Sequence, residues 1–233
     1  MFFFDPTFVL LIPAMILAFW AQSKVKSTYR KFSLVDSVGG ASGTQTARQI
    51  LNMNGLNDVN IEEVAGELTD HYDPRSRTVR LSTFNASSHS VAAVGVAAHE
   101  VGHAIQHAKG YTALKLRHVL LKPANFGSTL AFPLFLIGMF FGTSFGKDLT
   151  FLMDVGIIFF LAALAFQVIT LPVEFDASRR ALVSLRSTGI LHDKEVDGAR
   201  KVLQAASWTY VAAATMALTQ LIRLIVLRNM VRD

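Results

Sequence analysis

The stretch "VAAHEVGHAIQH", residues 96–107, decides how this chain is read. It lies within "SSHSVAAVGVAAHEVGHAIQHAKG" (87–110), whose alanine-rich, nearly uncharged first half predicts a helix buried on most sides. Ser87 or Ser88 is expected to cap its start and Gly110 to end it. Residues four apart share a helical face, so His99 and His103 project side by side and reach one ion at about 2.0–2.1 Å. Glu100 falls beside that ion rather than on it, where a general base for a metal-activated water belongs. Gly102 leaves room for another segment to approach closely. Two histidines and a glutamate on one apolar helix would be costly to bury without a shared partner. The spacing therefore predicts a zinc hydrolase rather than a polar accident in a core.

A third ligand must come from elsewhere. His107 lies eight residues beyond His99, about 12 Å along a helix, too far to share the ion. The spacing HExxHxxGxxH is absent too, because Gln106 stands where the glycine would be and position 109 is not histidine. His107 is expected behind the ligands or at the surface. Glu174, in "LPVEFDASRRAL" (171–182), is the foremost candidate. Pro172 suits the entry to a new helix, which puts Glu174 in its first turn, with Ala177 and Ala181 at close-packing positions. Two histidines, a glutamate and water form a catalytic zinc set. Asp176 and then Asp73 are the alternatives.

Composition sets the surroundings. Only 17% of the 233 residues are charged and mean hydropathy is +0.39, where a soluble domain carries about 25% charged residues. An integral membrane protein is expected. Net charge is +5, but the basic residues flank apolar runs, as in "SKVKSTYRK" (23–31), instead of forming one nucleic-acid patch. There is no cysteine, so a metal would rest on histidine and carboxylate.

Apolar runs at 8–22, 124–146 and 149–173 are each of membrane-spanning character, the last two joined by "GKDL". The first lacks a basic leader and a small-residue cleavage site, so it reads as a retained span with Trp20 as interfacial anchor. A fourth run, 208–227, is weaker because it carries Gln220 and Arg223. Asp154 is expected to snorkel to an interface. The expected order is a first span over 1–21, a cytoplasmic catalytic region over 22–122, a membrane hairpin over 123–173, a cytoplasmic helical region over 174–206, and a spanning or membrane-associated helix over 207–228. Lys and Arg at 24–31, 109–122 and 179–201 put both polar regions on the cytoplasmic side.

Within the first polar region, "SGTQTARQILNMNGLNDV" (42–59) predicts a helix capped by Ser42 or Thr44 and stopped at Asn54-Gly55. "GELTDHYDPRSRTVRLST" (66–83) predicts two strands around a turn at Asp73-Pro74, a β-hairpin just before the HExxH helix. His71, Tyr72 and His107 are candidate donors to a developing oxyanion, the "DHYD" strand (70–73) being the favoured source.

Four stretches in order, "SGTQTARQILNMNGL", "DHYDPRSRTVRLS", "VAAHEVGHAIQH" and "LPVEFDASRRAL", resemble the YugP-like family of putative membrane-bound neutral zinc metallopeptidases of bacteria. More distantly the layout is similar to the HtpX-type membrane proteases. The resemblance implies a mainly α integral membrane protein of three to four spans with a small α+β, zincin-like (gluzincin) catalytic part. It implies zinc on His99, His103 and Glu174, with Glu100 as base, in a protein of the bacterial inner membrane; the apolar runs make it multi-pass and the basic loops turn the site to the cytoplasm. Because Glu174 follows a membrane span directly, a zinc bound there would lie close to the cytoplasmic membrane surface, and membrane-associated proteins or peptides are the expected substrates. One departure stands out: the Asp that often follows Ala in the HtpX-type ligand motif is Ser178 here. Three rivals compete. They are a non-catalytic zinc-binding membrane scaffold, an intramembrane site-2-type protease, and a transporter resting on Asp154, Gln220 and Arg223.

Overall fold

A computed structural model describes residues 6–142 and 149–232; the "GKDL" turn lies outside these except for Leu149. A 3-10 turn (Pro6–Leu11) leads into α1 (Ile12–Ser33). Then come α2 (Gly43–Met53), β1 (Asn60–Val64), β2 (His71–Asp73), β3 (Thr78–Ser82) and the short α3 (Thr83–Ser87). Four helices complete the chain: α4 (Val91–Ala108), α5 (Thr112–Phe141), α6 (Phe151–Thr188) and α7 (Asp193–Arg232). The chain divides into two compact units, one of residues 1–20, 116–171 and 210–233, the other of residues 21–115 and 172–209.

The first unit is built from apolar helix. Four helical stretches, Pro6–Ser33, Thr112–Phe141, Phe151–Thr188 and Asp193–Val231, are long and apolar enough to cross a membrane, so the weaker fourth run belongs to a helix of that class. Glycines set the spacing between α5 and α6. A Cβ on Gly127 would stand 2.4 Å from the Phe159 carbonyl oxygen, and one on Gly156 2.6 Å from that of Ala131. Where apolar burial offers no drive, such close backbone packing supplies the attraction. Phe135, Met153 and Leu224 are buried together. Asp154 is ion-paired with Arg228 at 2.8 Å, and Arg223 Nε donates to Thr7 Oγ1 at 3.2 Å.

The second unit packs α2, α4 and β3 around one core, including Ile50, Leu51, Val79, Leu81, Val94 and Val101. α2 starts as its sequence predicts. Ser42 Oγ accepts from the Gln45 N–H and Gln45 Oε1 accepts from the Ser42 N–H, a reciprocal capping box. Asn54 ends it, and Gly55 follows at φ +71°. The expected hairpin is present as β2 and β3, antiparallel with Tyr72 opposite Val79. A third strand was not anticipated: β1 pairs parallel with β3, giving the order β1-β3-β2. Its sequence "NIEEV" is acidic and alternates poorly, and cross-strand charge helps hold it in place. Arg80 on β3 bonds Glu62 of β1 at 2.9 Å and Asp73 of β2 at 3.1 Å.

Two local expectations are corrected. The HExxH helix is capped by Ser90, not Ser87 or Ser88. Ser90 Oγ accepts from the Ala93 N–H, Ser88 Oγ accepts from the Ser90 N–H, and residues 83–87 form their own helical turn. Nor does Pro172 begin a helix. It lies inside α6, which runs unbroken from Phe151 to Thr188, so Glu174 is mid-helical. Neighbouring groups can satisfy a carbonyl that a helix proline leaves free, and the reading of Glu174 as a helix N-terminal acid is thereby removed.

Candidate metal centre

The site is assembled where α4 meets α6 in the second unit. Gly102 makes that meeting possible, since a Cβ there would lie 2.5 Å from the Ala177 carbonyl oxygen. The approach brings Glu174 under the two imidazoles. Its Oε2 is 3.3 Å from His99 Nε2 and 3.6 Å from His103 Nε2. The rings of His99 and His103 stand edge to face, 4.8 Å between centroids. One donor atom from each of the three residues lies within 4.8 Å of the others. His103 and Glu174 are buried and His99 nearly so.

The far side of each ring is also occupied. His103 Nδ1 is 3.0 Å from Gln106 Oε1, and Gln106 is fully buried. Gln106 Nε2 donates to the Val173 carbonyl at 2.8 Å and to Asp176 Oδ2 at 2.9 Å. Both neighbours of that nitrogen are acceptors, so the amide fits only one way round. Its oxygen then accepts from His103 Nδ1–H, which in the neutral imidazole leaves the lone pair on Nε2, the nitrogen that faces Glu174. Asp176 is in turn held by Arg179 and Arg180. On the other ring, His99 Nδ1 lies 3.2 Å from Ser178 Oγ, so the serine stands where the HtpX-type pattern has aspartate.

This arrangement fits a metal. With the imidazole neutral, its Nε2 lone pair and the Glu174 oxygen 3.6 Å away repel, and a cation held between them turns that repulsion into attraction. Two imidazoles and a carboxylate are a donor set that suits zinc. The two alternative third ligands are engaged elsewhere, Asp176 with Gln106 and the arginines, and Asp73 with Arg80 on the sheet.

Glu100 is buried beside His99, and the Tyr72 backbone N–H bonds its carboxylate. Burial pushes its carboxyl up to about 7; His99 counteracts this, while Glu174 and Asp70 add to it. The Tyr72 hydroxyl is 2.8 Å from His107 Nδ1, so His107 sits against the outer strand β2. Burial also raises the Tyr72 phenol. His71 is exposed, its Nδ1 bonded to the Thr69 carbonyl. Asp70 accepts from the Ser82 N–H and from Asn85 Nδ2, and Asn85 accepts from the Tyr29 hydroxyl at 2.6 Å. This chain anchors the "DHYD" stretch to the core.

Reading along the sequence missed Gln106 and the Asp70–Asn85–Tyr29 chain. One signal was available for Gln106, which stands three residues after His103 and so on the same face of α4.

The family described as "Putative neutral zinc metallopeptidase" matches residues 7–229. The chain is 50% identical, over 218 residues, to the "Putative membrane protease YugP" of Bacillus subtilis (strain 168), covering 94% of each protein. No solved structure matches it.

Proposed function

We propose that this chain, which belongs to the putative neutral zinc metallopeptidase family and is a membrane zinc protease, cleaves peptide bonds of membrane-associated proteins or peptides with Glu100 as general base. His99, His103 and Glu174 hold the zinc. The observation that carries this reading is the convergence of their donor atoms within 4.8 Å, with the Gln106 amide engaging His103 Nδ1 and Nε2 turned toward Glu174. Zinc, when bound, supplies the Lewis acidity that makes water nucleophilic near neutral pH and steadies charge on the substrate oxygen. Glu100 accepts the proton that water loses and returns it to the leaving amine. Burial, which raises this carboxyl in the metal-free chain, favours its holding the proton between the two transfers. The Tyr72 N–H keeps it aimed. β2 is an outer strand that reaches the site through Tyr72, and an extended substrate lies beside it.

The substrate class and topology rest on chain position. Glu174 directly follows the apolar run 149–173 within α6, which favours substrates close to the bilayer. The Lys and Arg excess at 24–31, 109–122 and 179–201 favours a cytoplasmic site.

The test is zinc content and proteolysis of the full chain in detergent, wild type beside Glu174→Ala and Glu100→Gln. About one zinc per wild-type chain is expected, with clear loss in Glu174→Ala. Glu100→Gln should keep its zinc and lose about 10²–10⁴-fold in peptide hydrolysis. No zinc in the wild type, even after reconstitution, would leave a membrane scaffold that works without metal in its place. Unchanged zinc in Glu174→Ala would remove that ligand.

A further inference from the structure

We infer that the groove between α1 and α7 is a binding site for the phosphate headgroup of an anionic phospholipid, held by Lys24, Lys31 and Lys201. The groove measures about 350 Å³ and lies wholly within the second unit. Facing helical rows make its walls. Lys24, Thr28 and Lys31 are spaced four and three apart on α1, and Lys201, Gln204 and Trp208 likewise on α7. Half-buried Phe32 and buried Ala205 also line it. The two helices touch beneath it, where a Cβ on Gly198 would stand 2.9 Å from the Phe32 ring.

Its charge is uncompensated. Three lysines line one groove with no carboxylate among the lining residues, and Lys31 Nζ lies over the ring of Phe32 there, 5.6 Å from its centroid. None of the three makes an ion pair among the described residues. Of the acids near the start of α7, Asp197 pairs with Arg200 at 3.2 Å and Glu195 accepts from the backbone N–H groups of Val38 and His192, and Asp193 does not line the groove. Lys26 and Arg30 line an adjoining groove on α1. Like charges gathered without counterions repel, and an anion between them converts that repulsion into binding.

A lipid, rather than a soluble anion, follows from what the two helices do next. α1 carries Lys24 four residues after Trp20, at the end of its apolar run, and α7 passes into its apolar run just after Trp208. Tryptophan at such a junction belongs at the headgroup level, and basic pockets between membrane helices take anionic headgroups. The phosphodiester would lie among the ammonium groups, with Thr28 and Gln204 within the same groove for headgroup hydroxyls. These residues are separate from the metal centre, so the inference stands or falls without it.

The test uses the full chain in a neutral detergent, with its thermal midpoint titrated against added phosphatidylglycerol, phosphatidylcholine, inorganic phosphate or polyglutamate. Phosphatidylglycerol should raise the midpoint saturably and phosphatidylcholine should not. The Lys24→Gln/Lys31→Gln/Lys201→Gln chain should unfold at the wild-type midpoint without lipid, since all three lysines are exposed. Its apparent affinity for phosphatidylglycerol should be more than tenfold weaker, on the order of fivefold per lysine. Lys201→Gln alone should show about that fivefold loss, which keeps the test decisive if the triple variant folds poorly. Equal gains from both lipids, or an unchanged affinity in the variants, would overturn the inference. So would inorganic phosphate or polyglutamate matching phosphatidylglycerol, because the groove would then be a free-anion or acidic-peptide site.

Discussion

Gln106 Oε1 lies 3.0 Å from His103 Nδ1, while the Nε2 of the same amide donates to Asp176 at 2.9 Å. One buried side chain thus ties the candidate ligand helix to the helix that carries Glu174, and at the same time selects the tautomer that turns His103 Nε2 toward the site.

Replacing Gln106 by leucine should weaken zinc binding by about 10–100-fold, the usual effect of removing a partner behind a metal-bound imidazole. Competition with a chromophoric chelator measures it. Wild-type affinity in Gln106→Leu would mean that the tautomer is set by something else.

Ser178 gives His99 a weaker partner than a carboxylate would. Ser178→Asp should therefore tighten zinc binding by making the imidazole a more basic ligand, whereas Ser178→Ala should loosen it. The same chelator competition ranks the three proteins, and an order with Asp weakest would refute the account.

Gly102 is a contact position. A Cβ there meets the Ala177 carbonyl at 2.5 Å, a backbone atom that cannot rotate away. Gly102→Ala should destabilise the fold by about 1–3 kcal/mol and weaken zinc binding, because α6 and Glu174 are displaced together. Thermal unfolding read beside zinc content tests whether the two losses coincide.

Metal-stripped protein should show the burial of Glu100 as a pH effect. Its carboxyl is raised from an ordinary value of 4.5 to about 7, so the folded state holds the proton more tightly than the unfolded one. Below the ordinary value this costs nothing. Stability falls as pH rises from there toward 7, and the loss is complete above it. Glu100→Gln, which cannot ionise, should accordingly melt several degrees higher than wild type at pH 8 and close to it at pH 4. Parallel melting curves across that range would contradict the assigned burial.

What could be read along the chain was what repeats within a few residues. The four-residue step from His99 to His103, the capping box at Ser42 and Gln45, the turn at Asp73-Pro74 and the long apolar runs are all local periodicities. Local periodicity decides which residues share a helical or strand face before any packing occurs. Position in the chain also singled out Glu174, seventy-five residues beyond His99. The sequence left open what depends on one element meeting another. β1 is acidic and reads poorly as a strand by itself, and it is Arg80, supplied by β3, that compensates Glu62. The unbroken course of α6 through Pro172 was likewise hidden, because a proline's local preference can be overridden by surrounding packing. The links from Gln106 to Asp176 and from Ser178 to His99 span seventy and seventy-nine residues. They exist because Gly102 lets two backbones come close enough for short polar side chains to touch, a condition of tertiary packing that no local pattern encodes.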